Sequence, residues 1–394
     1  MILKYGSKII PKLIMYKLAS YGLVKPPLPI LLNFSVTNMC QSRCSTCNIW
    51  QLYKKNPKKR KEELTLNEIE KVFQDMDDIF LLNICGGEPT LRKDLPDICH
   101  LACKYIHPEV IHFPTNCLDP RSIKEITEEI LKKIPPQVHL TVKLSLDGIG
   151  RKHDEIRGVL GNFKKLLKTH DYLVDLRNNY KNLYLDAGTT ISLNNIKDLP
   201  KINDYVKKNL KLDNFLHEIA DTRAELFNVD LKKKDSVTDK RFLKVTNNLK
   251  VTPSGSEYDK VVKNICNEII KDMKNKRKLS KITQALRLVY YKRAAKTMIN
   301  RKRMSTCYAG ISNAHLNPWG DLWICNVQAF KKSMGNVRDY GYNFKKLWYS
   351  KNAKEIRKWV SEKHCYCPLV GQSFLDTIMN PIELIKVLYY YIKY

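Results

Sequence analysis

Between Ile30 and Ala220, short apolar runs alternate with amphipathic stretches, and this repetition limits the folds open to the chain. "ILLNFSV" (Ile30–Val36), "IFLLNI" (Ile79–Ile84), "VIHF" (Val110–Phe113), "HLTVKLSL" (His139–Leu146), "LYLDAGTTI" (Leu183–Ile191) and "FLHEIA" (Phe215–Ala220) read as buried strands. The stretches between them, Thr65–Met76, Leu95–Ile106, Ser122–Ile134, Phe163–Leu173 and Ile196–Lys208, carry apolar residues at helical spacing. Thr65 and Glu68 stand at capping-box spacing. The pattern predicts an α/β fold with parallel strands and crossover helices, a partial (β/α)6 barrel of the TIM type over 30–222.

In such a fold, function gathers in loops at the carboxyl ends of strands. Those loops hold the unusual residues here. Cys40, Cys44 and Cys47 follow the first strand, "CGGEP" the second and "PTN" the third; "SLDG" ends the fourth and "HEIADTR" the sixth. Glu218, Asp221 and Arg223 in the last of these suit either substrate binding or a structural salt bridge. His107, His112 and His153 have no ligand-like spacing.

The three cysteines are the sharpest signal. Three thiolates can hold three irons of a [4Fe–4S] cluster and leave the fourth open, by the logic of an open catalytic zinc position. Zinc itself would want a fourth ligand nearby, and Cys85 lies beyond a helix. Cys40-x3-Cys44-x2-Cys47 after the first strand, with "GGEP" after the second, resembles the radical S-adenosylmethionine (SAM) enzymes. The resemblance implies that the open iron binds the amino and carboxylate groups of SAM. One electron then cleaves SAM to methionine and a 5′-deoxyadenosyl radical, which takes hydrogen from a substrate.

By the same resemblance, Gly86, Gly87, Glu88 and Pro89 serve the SAM amino group, and Asn116 matches the family's third-strand motif. "SLDG" and "HDEIRG" look like the peptide-modifying branch, where Ser145 and Arg157 would hold the SAM carboxylate and ribose. The plainer alternatives are a helix N-cap for Asp147 and a surface ion pair for Arg157. One departure is Thr46, where the family usually has an aromatic residue; Trp50 is a nearby substitute.

The segment 304–370 is similar to a truncated SPASM domain, with Cys307-x12-Gly320-x4-Cys325, "GNV", "LW" and "CYC". Its four cysteines, Cys307, Cys325, Cys365 and Cys367, would suffice for one auxiliary [4Fe–4S] cluster, with structural zinc as the competing occupant. Cys85, Cys99, Cys103, Cys117 and Cys266 read as small buried hydrophobes.

Twelve cysteines in 394 residues, without a visible signal peptide, point to a reducing, cytoplasmic setting. The net charge of +29 favours anionic partners. From Lys271 to Arg303 there are thirteen Lys or Arg against one acid, Asp272. Solvated helix faces explain part of this; an anionic membrane surface, nucleic acid or an acidic substrate explain the rest. The region 223–303 reads as a basic helical insertion or linker. The apolar, lysine-bearing extension 1–29 and the helix expected within 371–394 suit either packing on the body or a peripheral membrane contact.

The expected partners are a flavodoxin- or ferredoxin-like electron donor and a peptide or protein substrate, with a membrane lipid or lipid-linked precursor as the alternative. Nucleic acid is disfavoured, because no aromatic-interleaved RNA-binding motif is present. The rival of another class is a non-enzymatic, zinc-stabilised nucleic-acid-binding protein.

Overall fold

The computed structural model describes residues 2–221, 251–273, 278–368 and 370–394. Six parallel strands form its centre: β1 (Leu31–Thr37), β2 (Leu81–Gly86), β3 (Val110–Thr115), β4 (His139–Ser145), β5 (Leu183–Ile191) and β6 (Asn214–Ile219). They lie in sequential order, as right-handed crossover connections allow. The segments between them include α2 (Leu52–Lys55), α3 (Leu66–Gln74), α4 (Leu95–Tyr105), α5 (Pro120–Lys133), α6 (Arg151–Arg157), α7 (Asn162–Asn179) and α8 (Leu199–Asn209), while α1 (Ile2–Ser20) precedes β1.

Local chemistry sets the helix starts. Thr65 and Glu68 complete the capping box of α3. Asp119 accepts from the Ser122 amide ahead of Pro120, the first residue of α5. The strands alternate: Leu82, Ile84, Ile111, Phe113, Leu140, Val142 and Leu144 are fully buried, while the residues between them are half-buried. Each fully buried Leu, Ile or Phe contributes about 1.5–3 kcal/mol. The opposite face carries Asn33, Asn83 and His112 side by side in register.

The sheet does not stop at the six expected strands. Beyond β1 come β7 (Asn313–Leu316), parallel to it with Asn33 opposite His315, and then antiparallel β8 (Asp321–Trp323) and β9 (Ser333–Asn336). The nine strands among the described residues form an open sheet, a partial barrel, since β6 and β9 do not pair. The cysteine-bearing tail therefore continues the barrel sheet. It is completed by α11 (Phe344–Trp348), α12 (Lys351–Ser361), α13 (Val370–Ile378) and α14 (Pro381–Lys393).

Within the basic region, α9 (Gly255–Met273) and α10 (Lys278–Asn300) pack on each other, and α10 reaches the edge of β6. Arg287 donates to the Phe215 carbonyl, and Tyr291 Oη accepts from the His217 amide. These bonds satisfy strand-edge groups that would otherwise invite another chain. Arg293 pairs with Glu383 of α14, both nearly buried. Part of the basic run is thus spent on internal contacts. Residues 222–250, including Arg223, lie outside the described residues.

Candidate functional site

The Cys40–Cys47 loop leaves the end of β1 and is held from below by α6. The Arg43 amide donates to the Arg157 carbonyl at 3.1 Å, and the Ser45 amide to the Ile156 carbonyl at 2.9 Å. The unpaired carbonyls at the end of α6 therefore find donors in the cysteine loop. Gly158 closes the helix in the left-handed conformation, φ 71°.

The "GGEP" turn lies against the same loop. The Gly87 amide donates to the Thr37 carbonyl at 2.8 Å and the Glu88 amide to the Met39 carbonyl at 2.7 Å. A Cβ on Gly86 would sit 2.1 Å from the Thr37 oxygen, and one on Gly87 2.1 Å from the Met39 oxygen. Both glycines are needed for the approach of two protein backbones. The Glu88 carboxylate is buried and accepts from the Asn116 amide at 2.6 Å and the Thr90 hydroxyl at 2.7 Å. Burial pushes its pKa up, against those donors. Pro89 begins a short turn, Pro89–Leu91, beneath it.

Asn116 reaches the loop directly, donating from Nδ2 to Gln41 Oε1 at 3.2 Å and toward Cys40 Sγ at 3.8 Å. Ser145 ends β4 half-buried, and its hydroxyl bonds to no described residue. Arg157 is not on the open surface but largely shielded, its side chain 12% exposed, and Nη1 donates to Asp147 Oδ2 at 3.1 Å. Asp147 is not a helix cap, since Gly150 precedes α6; its Oδ1 accepts from the Thr190 amide. Arg157 Nε is buried and without a partner.

The electrostatics fit a cofactor carrying its own charge. Burial, then Cys44 and Glu88, push the Cys40 thiol up to about 12. Burial raises Cys47 and Cys44 too, the latter despite the nearby Arg157. Burial alone would lower Arg157, but Cys44 and Asp147 outweigh it and the net shift is upward. Thiols held neutral by burial ionise when a metal supplies positive charge. The donor set, the orphaned guanidinium nitrogen and the close glycine turn thus fit a three-cysteine cluster with one open iron.

Trp50 donates from Nε1 to the Cys47 carbonyl, and Arg43 lies over its ring, while Thr46 is buried. Sequence reasoning passed over Glu63, which accepts from the Thr37 hydroxyl at 2.7 Å and the Asn38 amide at 3.2 Å. It also passed over Asn194, whose Nδ2 donates to the Ser45 hydroxyl. Neither sits in a recognisable motif.

The inner face of the sheet is polar. His112 Nδ1 bonds Asn83 Oδ1 at 2.7 Å, and Asn83 donates to Asn33 Oδ1 at 2.6 Å. Burial, then Lys143, holds His112 down at about 3, so it is neutral. Glu218 pairs with Lys143 at 3.2 Å. Cys85 belongs to this face, 3.4 Å from Ser35 Oγ and 4.0 Å from His315 Nε2. Cys99, Cys117 and Cys266 are in the apolar core, with Cys103 packed against it.

Cys307, Cys325, Cys365 and Cys367 line one cavity. Arg303 donates from Nη2 to Cys365 Sγ at 3.0 Å and from Nε to the Cys365 carbonyl at 3.2 Å. All twelve cysteines are free thiols. Among the described residues, no three His, Cys, Asp or Glu side chains converge as around a single ion.

Fold and site together define a scaffold of open-barrel type with a three-cysteine loop after its first strand. Residues 34–198 match the Radical SAM superfamily, so the chain carries a radical SAM domain, of a class that uses a [4Fe–4S] cluster and SAM. The chain is 29% identical over 133 residues to mycofactocin maturase MftC of Mycolicibacterium smegmatis, covering 33% of this chain and 31% of that protein. It is 26% identical over 211 residues to Fe-coproporphyrin III synthase of Methanosarcina barkeri, covering 52% and 47%. The matches thus span about a third to a half of these curated relatives.

Two solved structures share the fold. AnSMEcpe with bound AdoMet and Cp18Cys peptide superposes with a TM-score of 0.53 at 16% identity, over 93% of this chain and 97% of that one. Streptococcus suis SuiB gives 0.54 at 17%, over 87% and 70%. Among the described residues, no helix is long and apolar enough to cross a membrane.

Proposed function

We propose that the protein is a radical SAM enzyme that takes hydrogen from a side chain of a peptide or protein. The observation that carries the initiating chemistry is the triad of Cys40, Cys44 and Cys47, Cys44 buried and the other two half-buried, with the Arg157–Asp147 pair beneath it. A [4Fe–4S] cluster held by the three thiolates would, given one electron from an external donor, supply reductive cleavage of bound SAM.

The chain's own residues do the positioning. Arg157 offsets negative charge on the thiolates from the protein side. Gly86 and Gly87 lock the end of β2 against the approach to Cys40. Asn116 orients the loop through Gln41. Ser145, free at the end of β4, and the second nitrogens of Arg157 are the groups available for SAM's carboxylate and ribose. Glu88, bonded to Asn116 and Thr90, fixes β3 to β2 and presents its charge near Cys40. The polar inner face from Asn33 to Lys143 offers hydrogen bonds to a substrate in the barrel.

The peptide assignment draws support from similar proteins. These include a maturase, SuiB bound to precursor peptide SuiA, and anSMEcpe bound to a peptide. Four tail cysteines around one cavity support one auxiliary cluster. The radical SAM domain displaces the rival reading as a non-enzymatic zinc protein. The lipid alternative rests on surface features, which bear on where the protein sits rather than on what enters the barrel.

The test compares peptide, lipid and metabolite extracts of cells with and without the gene. A mass change confined to a peptide supports the assignment. A change confined to lipids replaces it.

A further inference from the structure

Helix α14 has two unlike sides. Its inner side, Glu383, Val387 and Tyr390, packs against α10. Its outer side is apolar and bare: Ile382, Ile385, Leu388, Tyr389 and Ile392 recur at helical spacing, with Ile385 67% and Ile392 72% exposed. The only acid in α14, Glu383, is turned inward onto Arg293, so the outer side carries no negative charge. Lys386 and Lys393, two turns apart, run along one margin of this face.

Beyond that margin lies a groove of about 680 Å³ between α9, α10 and α14. Val262, Cys266, Ile270 and Val289 line it, with Lys263, Lys292, Lys296 and Lys386 around them. The acids there are already engaged: Asp259 pairs with Lys263 and Glu383 with Arg293. The side-chain ammonium groups of Lys296 and Lys386 make no hydrogen bond or ion pair with any described residue. A second apolar patch adjoins the start of α14. Tyr16 of α1 packs with Met379, one residue before the α14 cap Asn380, and the α1 region exposes Ile14, Tyr21 and Leu23.

We propose that α14 and the lysine groove form a docking surface for an anionic lipid bilayer. The helix, about 20 Å long, is too short to span but long enough to lie in the interface with its apolar side toward the acyl chains. The lysine groove, at the level of the headgroups, receives lipid phosphate. A second copy of this chain fits the surface poorly, because its own lysine groove would meet this one and repel it. The surface is distinct from the cysteine loop and independent of which substrate enters the barrel.

The test is flotation of the full-length protein with vesicles of phosphatidylglycerol and phosphatidylcholine, or of phosphatidylcholine alone. Iron content and circular dichroism serve as fold controls, so the readout needs no SAM chemistry. The wild type floats with the anionic vesicles, and high salt weakens the binding. An I385E/I392E variant stays at the bottom with unchanged iron content. A K296Q/K386Q variant binds roughly 25-fold more weakly, about fivefold per lysine. Equal flotation of wild type and both variants overturns the proposal. So does equal binding to both kinds of vesicle, or a concentration-dependent dimer that I385E/I392E dissolves without any vesicle binding.

Discussion

Arg157, the last residue of α6, donates from Nη1 to Asp147 Oδ2 at 3.1 Å beneath the three-cysteine loop, and both side chains are nearly buried. A buried guanidinium is tolerated only when its charge is met. In the metal-free protein Asp147 meets it; with a cluster on the three cysteines, the thiolates would share the task. Asp147→Asn is expected to destabilise the metal-free protein by about 3–5 kcal/mol. The reconstituted protein should lose distinctly less. Urea unfolding of both forms checks this, and equal losses would separate Arg157 from the cofactor's charge.

A Cβ at position 87 would lie 2.1 Å from the Met39 carbonyl oxygen. Gly87→Ala must push the cysteine loop from the end of β2. The expected cost is at or above the upper end of the about 1–3 kcal/mol usual for overpacking. Iron retention after gel filtration should fall with it. Gly150→Ala is the control, since a Cβ there meets nothing within 4 Å, although its positive φ adds some strain.

Glu68 joins α3 to the tail, accepting from Arg338 Nε at 2.7 Å and Nη2 at 3.0 Å, and from Tyr342 Oη at 2.8 Å. Arg338 foremost, with Thr65 and Tyr342, holds Glu68 down at about 2 from an ordinary 4.5. A depressed carboxylate gives stability that is present above its unfolded pKa and lost as pH falls through the folded one. The tail should therefore loosen between about pH 4.5 and 2. Hydrogen exchange at Val337–Tyr340 should rise in that window, and in Glu68→Gln it should already be raised at neutral pH with less change on acidification.

The tail cavity makes a stoichiometric prediction. Anaerobic reconstitution should load about eight irons per chain, and Cys325→Ala about four. Four irons in the wild type, with one zinc, would return the tail to a structural zinc site.

Much of the barrel was legible because its strands alternate with helices whose caps have strong local chemistry. Thr65 with Glu68 marks its helix from sequence alone, whereas the next but one helix, expected from Ser122, starts earlier, at Pro120 behind the Asp119 cap. β7–β9 were not legible: three or four residues carry too little periodicity, and β7 finds its partner β1 from the far end of the chain. The roles of Arg287 and Arg293 were hidden for a similar reason. Charge counting cannot tell a solvated arginine from one meeting the Phe215 carbonyl or Glu383, both distant in sequence. Cys85 looked like an isolated hydrophobe because Ser35 and His315 reach it only through strand pairing. The cysteine loop stood out because its ligand spacing is local. Its supports, Glu63, Asn194 and the α6 carbonyls, arrive from other elements.

The most direct test is reductive SAM cleavage by the reconstituted Cys44→Ala protein. The variant should make no 5′-deoxyadenosine above background, while retaining the absorption and electron paramagnetic resonance signals of the tail cluster. If it cleaves SAM at the wild-type rate, the Cys40–Cys47 loop is not the site where this chain starts its chemistry.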